Sequence, residues 1–326
     1  MNKPIRWGII AAGRIAGKMA QALKLTPDSE LLAVASRSKE KAEAFGEKFG
    51  IPRRYASYEE LVRDPDVDIV YVASPHNLHK DNSLLCLEHG KAVLCEKPIA
   101  VNAREAEQMV RTAREKKLFL MEAMWTRFLP IMTKLKEQVD SGAIGEIRMI
   151  MADFGFRASA DPASRLFNPE LAGGGLLDVG VYTVALASWI FGEPTRVVSM
   201  AHIGETGVDE QCAGILGYDD GRLAIVASAV RTGTPHEATL LGTDGTIRVH
   251  TPWWCPSRMT ITAGGKSELI EAPFGDNGFE YEASEAVRCL LEGKLESEVI
   301  SLDESLSIMR VMDTMRGQWG LKYPME

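Results

Sequence analysis

The chain has 326 residues, 45% of them hydrophobic, and a formal net charge of −8. That is enough apolar material for a substantial core and more length than one domain usually takes, so two domains are the prior. A mild acidic balance without a basic stripe argues against nucleic acid or an anionic membrane as partner, and no apolar run reads as approaching the roughly 18 residues that span a bilayer.

Met1-Asn2-Lys3-Pro4 leads at once into a strand, which reads as no targeting segment and a cytoplasmic protein. Up to about residue 123 short β-branched apolar strands alternate with polar turns and amphipathic helices, the pattern of repeated βαβ units. The strands fall at Ile5 to Ile10, Leu31 to Ser36, Asp68 to Ala73, Ala92 to Glu96 and Leu118 to Glu122. All are short enough to be buried on both faces of a parallel sheet.

After Phe128 an amphipathic segment runs to about Val139, and an alternating stretch follows from Ile147 to Phe154. Asp219-Asp220-Gly221, Thr243-Asp244-Gly245 and Gly264-Gly265 each separate two apolar runs, so this half reads as a largely antiparallel sheet of hairpins. A helix beginning near Gly175 interrupts it, and a further helix is expected from about Phe279 to Leu291. Ser301-Leu302-Asp303-Glu304 is a capping box for a last helix, whose Leu306, Met309, Met312 and Met315 recur at helical spacing as core residues. The fold class is therefore α/β: a Rossmann dinucleotide-binding domain at 1–124 and an α+β domain with an open, mainly antiparallel sheet at 125–326.

The turn after the first strand reads Ala11-Ala12-Gly13-Arg14-Ile15-Ala16, a departure at Ala11 from Gly-x-Gly-x-x-Gly/Ala. A pyrophosphate is expected against Ala12, Gly13, Arg14 and Ile15, where the helix N-terminus offers amide donors. The second strand ends in Ser36-Arg37-Ser38-Lys39 with no carboxylate to accept from a ribose 2′-hydroxyl. Arg37 suits a 2′-phosphate instead, with the hydroxyls of Ser36 and Ser38 as further donors, so NADP is expected over NAD. Ser74-Pro75-His76-Asn77-Leu78-His79 stands at another strand's carboxyl end. Ser74, His76, Asn77 and His79 are candidates for contact with the nucleotide, Asn77 being equally suited to capping the next helix.

Moving hydride to or from an alcohol carbon needs a positioned acid/base. Lys97 follows the apolar run Ala92-Val93-Leu94-Cys95, at the place where α/β active sites lie, and Glu96 is placed to tune or orient it. Gly173-Gly174-Gly175 opens a helix on which Asp178 and Tyr182, four apart, share a face and can hold a substrate hydroxyl. Lys97 and Tyr182 are rivals for the proton, or partners in one relay. The five cysteines, Cys86, Cys95, Cys212, Cys255 and Cys289, lack paired spacing and read as reduced thiols. His76 and His79 have no companion ligand, so no metal site is expected.

Ala92-Val93-Leu94-Cys95-Glu96-Lys97-Pro98, Met121-Glu122-Ala123-Met124-Trp125-Thr126-Arg127-Phe128 and Leu176-Leu177-Asp178-Val179-Gly180-Val181-Tyr182 together resemble the Gfo/Idh/MocA oxidoreductases, nearest their dihydrodiol and D-xylose dehydrogenase subgroup. Glu205-Thr206-Gly207-Val208-Asp209 and Trp254-Cys255-Pro256 extend the resemblance. It implies catalysis by the lysine and tyrosine, NADP recognition by Arg37, and a substrate site with Trp125, Arg127 and Phe154 beside Asp178 and Tyr182. It also implies a cyclic polyol substrate and a homodimer formed through the second sheet. A dehydrogenase of another sugar or an inositol, and a silent NADP-binding sensor, are the alternatives.

Overall fold

The computed structural model describes residues 3–326, so Met1 and Asn2 of the opening tetrapeptide lie outside the described residues. The chain divides into two compact units. The first holds the residues up to Phe128 together with Gly275–Ser305, and the second holds Leu129–Phe274 with Leu306–Glu326. A single cut after residue 124 therefore leaves out a segment that returns to the first unit.

In the first unit the strands are β1 (Ile5–Ile10), β2 (Ser29–Ala35), β3 (Arg53–Tyr55), β4 (Ile69–Val72), β5 (Ala92–Glu96) and β6 (Leu120–Ala123). They form one parallel sheet in the order β3-β2-β1-β4-β5-β6. Helices α1 (Arg14–Ala22), α2 (Lys39–Phe49), α3 (Tyr58–Val62), α4 (His79–Glu88) and α5 (Ala103–Lys116) fill the crossovers. β4 and β5 are buried along their whole length, as apolar strands covered on both faces must be. The order reverses between β1 and β4, which opens a crevice at their carboxyl ends. β3 escapes a hydrophobic-pattern reading because it is short and charged. Its arginines are held by side-chain carboxylates, Arg53 by Asp64 and Asp66 and Arg54 by Glu43.

The second unit begins with α6 (Pro130–Asp140) and β7 (Ile147–Gly155), followed by a π turn at Leu176–Gly180 that continues into α7 (Val181–Phe191). Then come β8 (Arg196–Ile203), β9 (Asp209–Gly217), β10 (Leu223–Ala229), β11 (Ala238–Gly242), β12 (Gly245–Val249), β13 (Arg258–Ala263) and β14 (Lys266–Glu271). The sheet order is β14-β13-β12-β11-β7-β10-β9-β8, antiparallel except for the β7–β10 pair. All three glycine-containing turns named above join antiparallel neighbours. Across β7, β10, β9 and β8 the register aligns Met151, Ile225, Ile215 and Val198 in one apolar row, and Met200 beside it is 80% exposed.

α8 (Phe279–Leu291) belongs to the first unit, and α9 (Leu302–Trp319) starts in the first and ends in the second. The Ser301 hydroxyl accepts from the Glu304 amide at 3.1 Å, one arm of the capping box. Met309, Met312 and Met315 are buried. One expectation is corrected: Pro169–Phe191, 23 residues whose apolar window has mean hydropathy 1.5, is long and apolar enough to cross a membrane. Its apolar window is 83% buried within the fold, which makes it a core helix.

Ala11 adopts φ +74 in the turn after β1, where the usual glycine carries no steric cost. Ala11→Gly relieves that left-handed strain and is expected to stabilise the protein by about 1 kcal/mol in urea denaturation. An unchanged or lower midpoint contradicts this.

Candidate functional site

In the first unit the loops leaving β1, β2, β4, β5 and β6 all emerge at one carboxyl edge of the sheet. Gly13 is the N-cap of α1, with no side chain capping it, at φ −89. A Cβ there would meet nothing within 4 Å. Nothing inside the fold therefore calls for glycine at 13, whereas a phosphate lying on the α1 amides does. Arg14 is exposed beside it, and Ala12 and Ile15 are half-buried. A groove of about 420 Å³ adjoins the turn, and Arg14, Lys18 and Lys48 give it a positive lining over Phe45 and Phe49.

At the end of β2, Ser36 is buried and Arg37 is exposed beside the Tyr58 hydroxyl. Burial raises that phenol, and the Arg37 charge opposes the rise. The Ser38 hydroxyl caps α2, accepting from the Lys41 amide at 3.3 Å and donating to Glu40 at 2.7 Å. At the end of β4, Ser74 accepts from Asn82 through its hydroxyl at 2.9 Å. His79 is fully buried, with Nε2 2.8 Å from the Ser74 carbonyl and Nδ1 2.7 Å from the Pro98 carbonyl. Burial pushes its imidazole down to about 4, so it is neutral and donates to one carbonyl at a time. His79 ties two loops of the edge together and presents no ring nitrogen to a nucleotide. His76 and Asn77 lie in a half-exposed 3₁₀ turn, His76–Leu78, on the same edge.

Lys97 follows β5, half-exposed, on the turn whose Pro98 carbonyl meets His79. Its backbone amide donates to Glu96 Oε2 at 3.2 Å, and the buried Tyr71 hydroxyl donates to Glu96 Oε1. Glu282 of α8 is also fully buried with no hydrogen bond to either oxygen, and burial and the Glu96 charge raise it well above the carboxylate range. The lysine therefore stands on a buried base of tyrosine and carboxyl groups. Trp125 stacks on Phe279, ring centroids 5.0 Å apart.

Arg127 is expected at the substrate site. Its guanidinium is buried and bonds the Glu304 carboxylate at 2.6 Å and the Val299 carbonyl at 3.1 Å, which makes it a tie between segments of the first unit.

In the second unit, the π turn and α7 bring Asp178 and Tyr182 onto one continuous helical segment. Asp178 Oδ1 pairs with Arg165 at 2.7 Å. Tyr182 is nearly buried against Phe154, centroids 5.4 Å apart, and Phe154 stacks on Trp254 at 3.4 Å. His236, in the left-handed region at φ +62, closes the cluster edge-on to both Phe154 and Trp254. The glycine run is explained by crowding: a Cβ on Gly173 would lie 2.7 Å from the Arg165 and Leu166 carbonyl oxygens. Of these residues Arg165, His236 and Phe279 went unread. Nothing local distinguishes them: His236 and Phe279 acquire their places from partners far along the chain, and Arg165 from Asp178 beyond an intervening loop.

Residues 5–124 match the family model described as an oxidoreductase family with an NAD-binding Rossmann fold, and 132–248 match the GFO/IDH/MocA C-terminal domain. The chain belongs to the Gfo/Idh/MocA oxidoreductase family. It is 38% identical to trans-1,2-dihydrobenzene-1,2-diol dehydrogenase of Xenopus tropicalis, over 98% of this chain and 99% of the relative. The Mus musculus enzyme of that name is 40% identical, over 99% of each chain. Among solved structures it resembles KijD10, a 3-ketoreductase from Actinomadura kijaniata in complex with NADP and TDP-benzene, at TM-score 0.87 and 27% identity, covering 96% of this chain and 97% of that one. The aldose-aldose oxidoreductase from Caulobacter crescentus complexed with glycerol gives TM-score 0.89 at 26% identity, covering 97% and 98%. The family member described here fits a nicotinamide nucleotide: the uncapped α1 amides, the open space over Gly13 and the exposed Arg37 suit its phosphates.

Two buried acids make stability depend on pH. Glu122, between the Ile99 amide and the Ser305 hydroxyl, and Asp209 are each pushed up to about 7 by burial. Unfolded, both ionise near 4, so the folded state binds the extra protons and the stability they contribute is lost as pH rises through 7. His79 acts in the opposite sense, but its window lies below the ordinary histidine value. The urea midpoint should fall between about pH 6 and about pH 8, with a smaller fall in Asp209→Asn. A flat or rising midpoint contradicts the assignment.

Proposed function

We propose that this family member is an NADP-dependent dehydrogenase acting on a CH–OH group of a cyclic polyol, an aldose such as D-xylose or a trans-dihydrodiol. The observation that carries it is Lys97 at the carboxyl end of β5, backed by Glu96 and Tyr71, on the same sheet edge as the open Gly13 turn. The names of the relatives and the sugar chemistry of the structural neighbours support the substrate class.

When bound, the nicotinamide supplies the hydride acceptor or donor. The chain supplies the rest. Ala12 to Ile15 would hold the pyrophosphate, and Arg37 would pair with the 2′-phosphate where an NAD site carries a carboxylate. Lys97 and Tyr182 are the groups to take up the alcohol proton or return it. Asp178 would orient a substrate hydroxyl, and Trp125 and Phe154 offer faces to the C–H side of a ring.

The test is turnover of a panel of aldoses and dihydrodiols with each cofactor. Lys97→Met and Tyr182→Phe should each lower kcat by about 10²–10⁴-fold if both handle the proton. Arg37→Ala should raise the NADP KM by about tenfold and leave that for NAD unchanged. Turnover surviving in both acid/base variants, or a wild-type preference for NAD, defeats the reading.

We further propose that two copies pair through the apolar row of Met151, Ile225, Ile215 and Val198, since a sheet face of this kind is seldom left bare and a two-fold axis matches the row to itself. Val198, 61% exposed, is the place to test it. Light scattering should show wild type as a dimer and Val198→Glu as a monomer, while a monomeric wild type contradicts pairing.

A further inference from the structure

Asp209 is the last residue of Glu205-Thr206-Gly207-Val208-Asp209, a motif the dehydrogenase reading leaves without a task. It is the first residue of β9 and is completely buried. Oδ2 accepts from the Leu176 amide at 2.6 Å, and the Gly175 amide also points at the carboxyl. Oδ1 has no hydrogen-bond partner and fills the space where a Gly174 side chain would stand, at φ +115. A carboxyl group buried this deeply with an unused oxygen is costly, so the fold keeps it for some return other than stability.

Its contacts show the return. Gly175 and Leu176 open the π turn that carries Asp178 and leads to Tyr182. A π turn is a rare, locally unfavourable winding, commonly retained at functional sites, and it needs something to hold it. The run is gripped at several points, three of them as follows. The Tyr323 hydroxyl donates to the Gly173 carbonyl at 2.6 Å, the Gly174 amide donates to the Leu166 carbonyl at 2.8 Å, and Asp209 takes the amides that follow. Of the three, only Asp209 bonds the π turn itself.

We propose that Asp209 is a positioning residue of the reaction: its carboxyl clamps the first amides of the π turn and so fixes where Asp178 and Tyr182 stand. It touches no substrate. The proposal rests on the reading of Asp178 and Tyr182 as site residues, and its test therefore includes a readout that does not depend on turnover.

Asp209→Ala and Asp209→Asn are compared in the full chain by kcat, by NADPH affinity and by amide hydrogen exchange over residues 173–182. Alanine should lower kcat by about tenfold or more, raise exchange in that segment, and leave the NADPH Kd within about twofold, because the nucleotide site lies in the other unit. Asparagine keeps an oxygen acceptor for Leu176 and should restore both protection and most of the turnover. Wild-type kcat in Asp209→Ala, parallel loss of NADPH binding, or an asparagine variant as exposed to exchange as alanine overturns the clamp. Full activity in Tyr182→Phe measured alongside would defeat the site reading instead, and exchange alone would then decide whether Asp209 holds the turn.

Discussion

The first unit is governed by the burial of a parallel sheet on both faces. Strands such as Ile69–Val72 and Ala92–Glu96 have no solvent face, so polar side chains near them must either find a partner inside or wait until the strand ends. Both happen. Tyr71 points its hydroxyl at Glu96, and Arg37, His76 and Lys97 emerge with Gly13 from successive loops on the carboxyl edge. Parallel strand direction puts those loops on one edge, and the reversal of strand order between β1 and β4 separates them enough to admit a ligand.

The second unit meets a different constraint. Its sheet is mostly antiparallel and has one well-covered face, and its chemistry-bearing residues sit on a helix whose first turn is held open. Glycines at 173 to 175 let carbonyl oxygens and the Asp209 carboxyl approach the backbone more closely than any side chain would allow. The aromatic cluster of Phe154, Tyr182, Trp254 and His236 then packs beside that turn. Strain and unfavourable burial occur here too, in the left-handed His236 and the orphaned oxygen of Asp209. Such features persist where a fold serves function at some cost to stability.

What could be read from sequence follows from how local the signal is. β1, β5 and α8 carry their periodicity in their own residues, and their ends coincide with those read beforehand. β3 does not, since Arg53 and Arg54 are made acceptable by acids on other segments. The same limit explains the site residues. Arg127, His79 and Ser38 are polar residues near the right edge, and sequence does not say that Glu304, two carbonyls and a helix amide already engage them. The burial of Glu282 and Asp209 is illegible for the converse reason: an acid in a helix or strand reads as surface until the fold closes over it.

On the proposed reading, the carboxyl edge of the parallel sheet holds the nucleotide, with Lys97 at its reactive end. A crystal structure with NADP bound tests it most directly. The account predicts the pyrophosphate on the amides after Gly13, the 2′-phosphate on Arg37 and the nicotinamide beside Lys97. A nucleotide seated away from the Gly13 turn, or a Lys97 nitrogen remote from the nicotinamide, would contradict it.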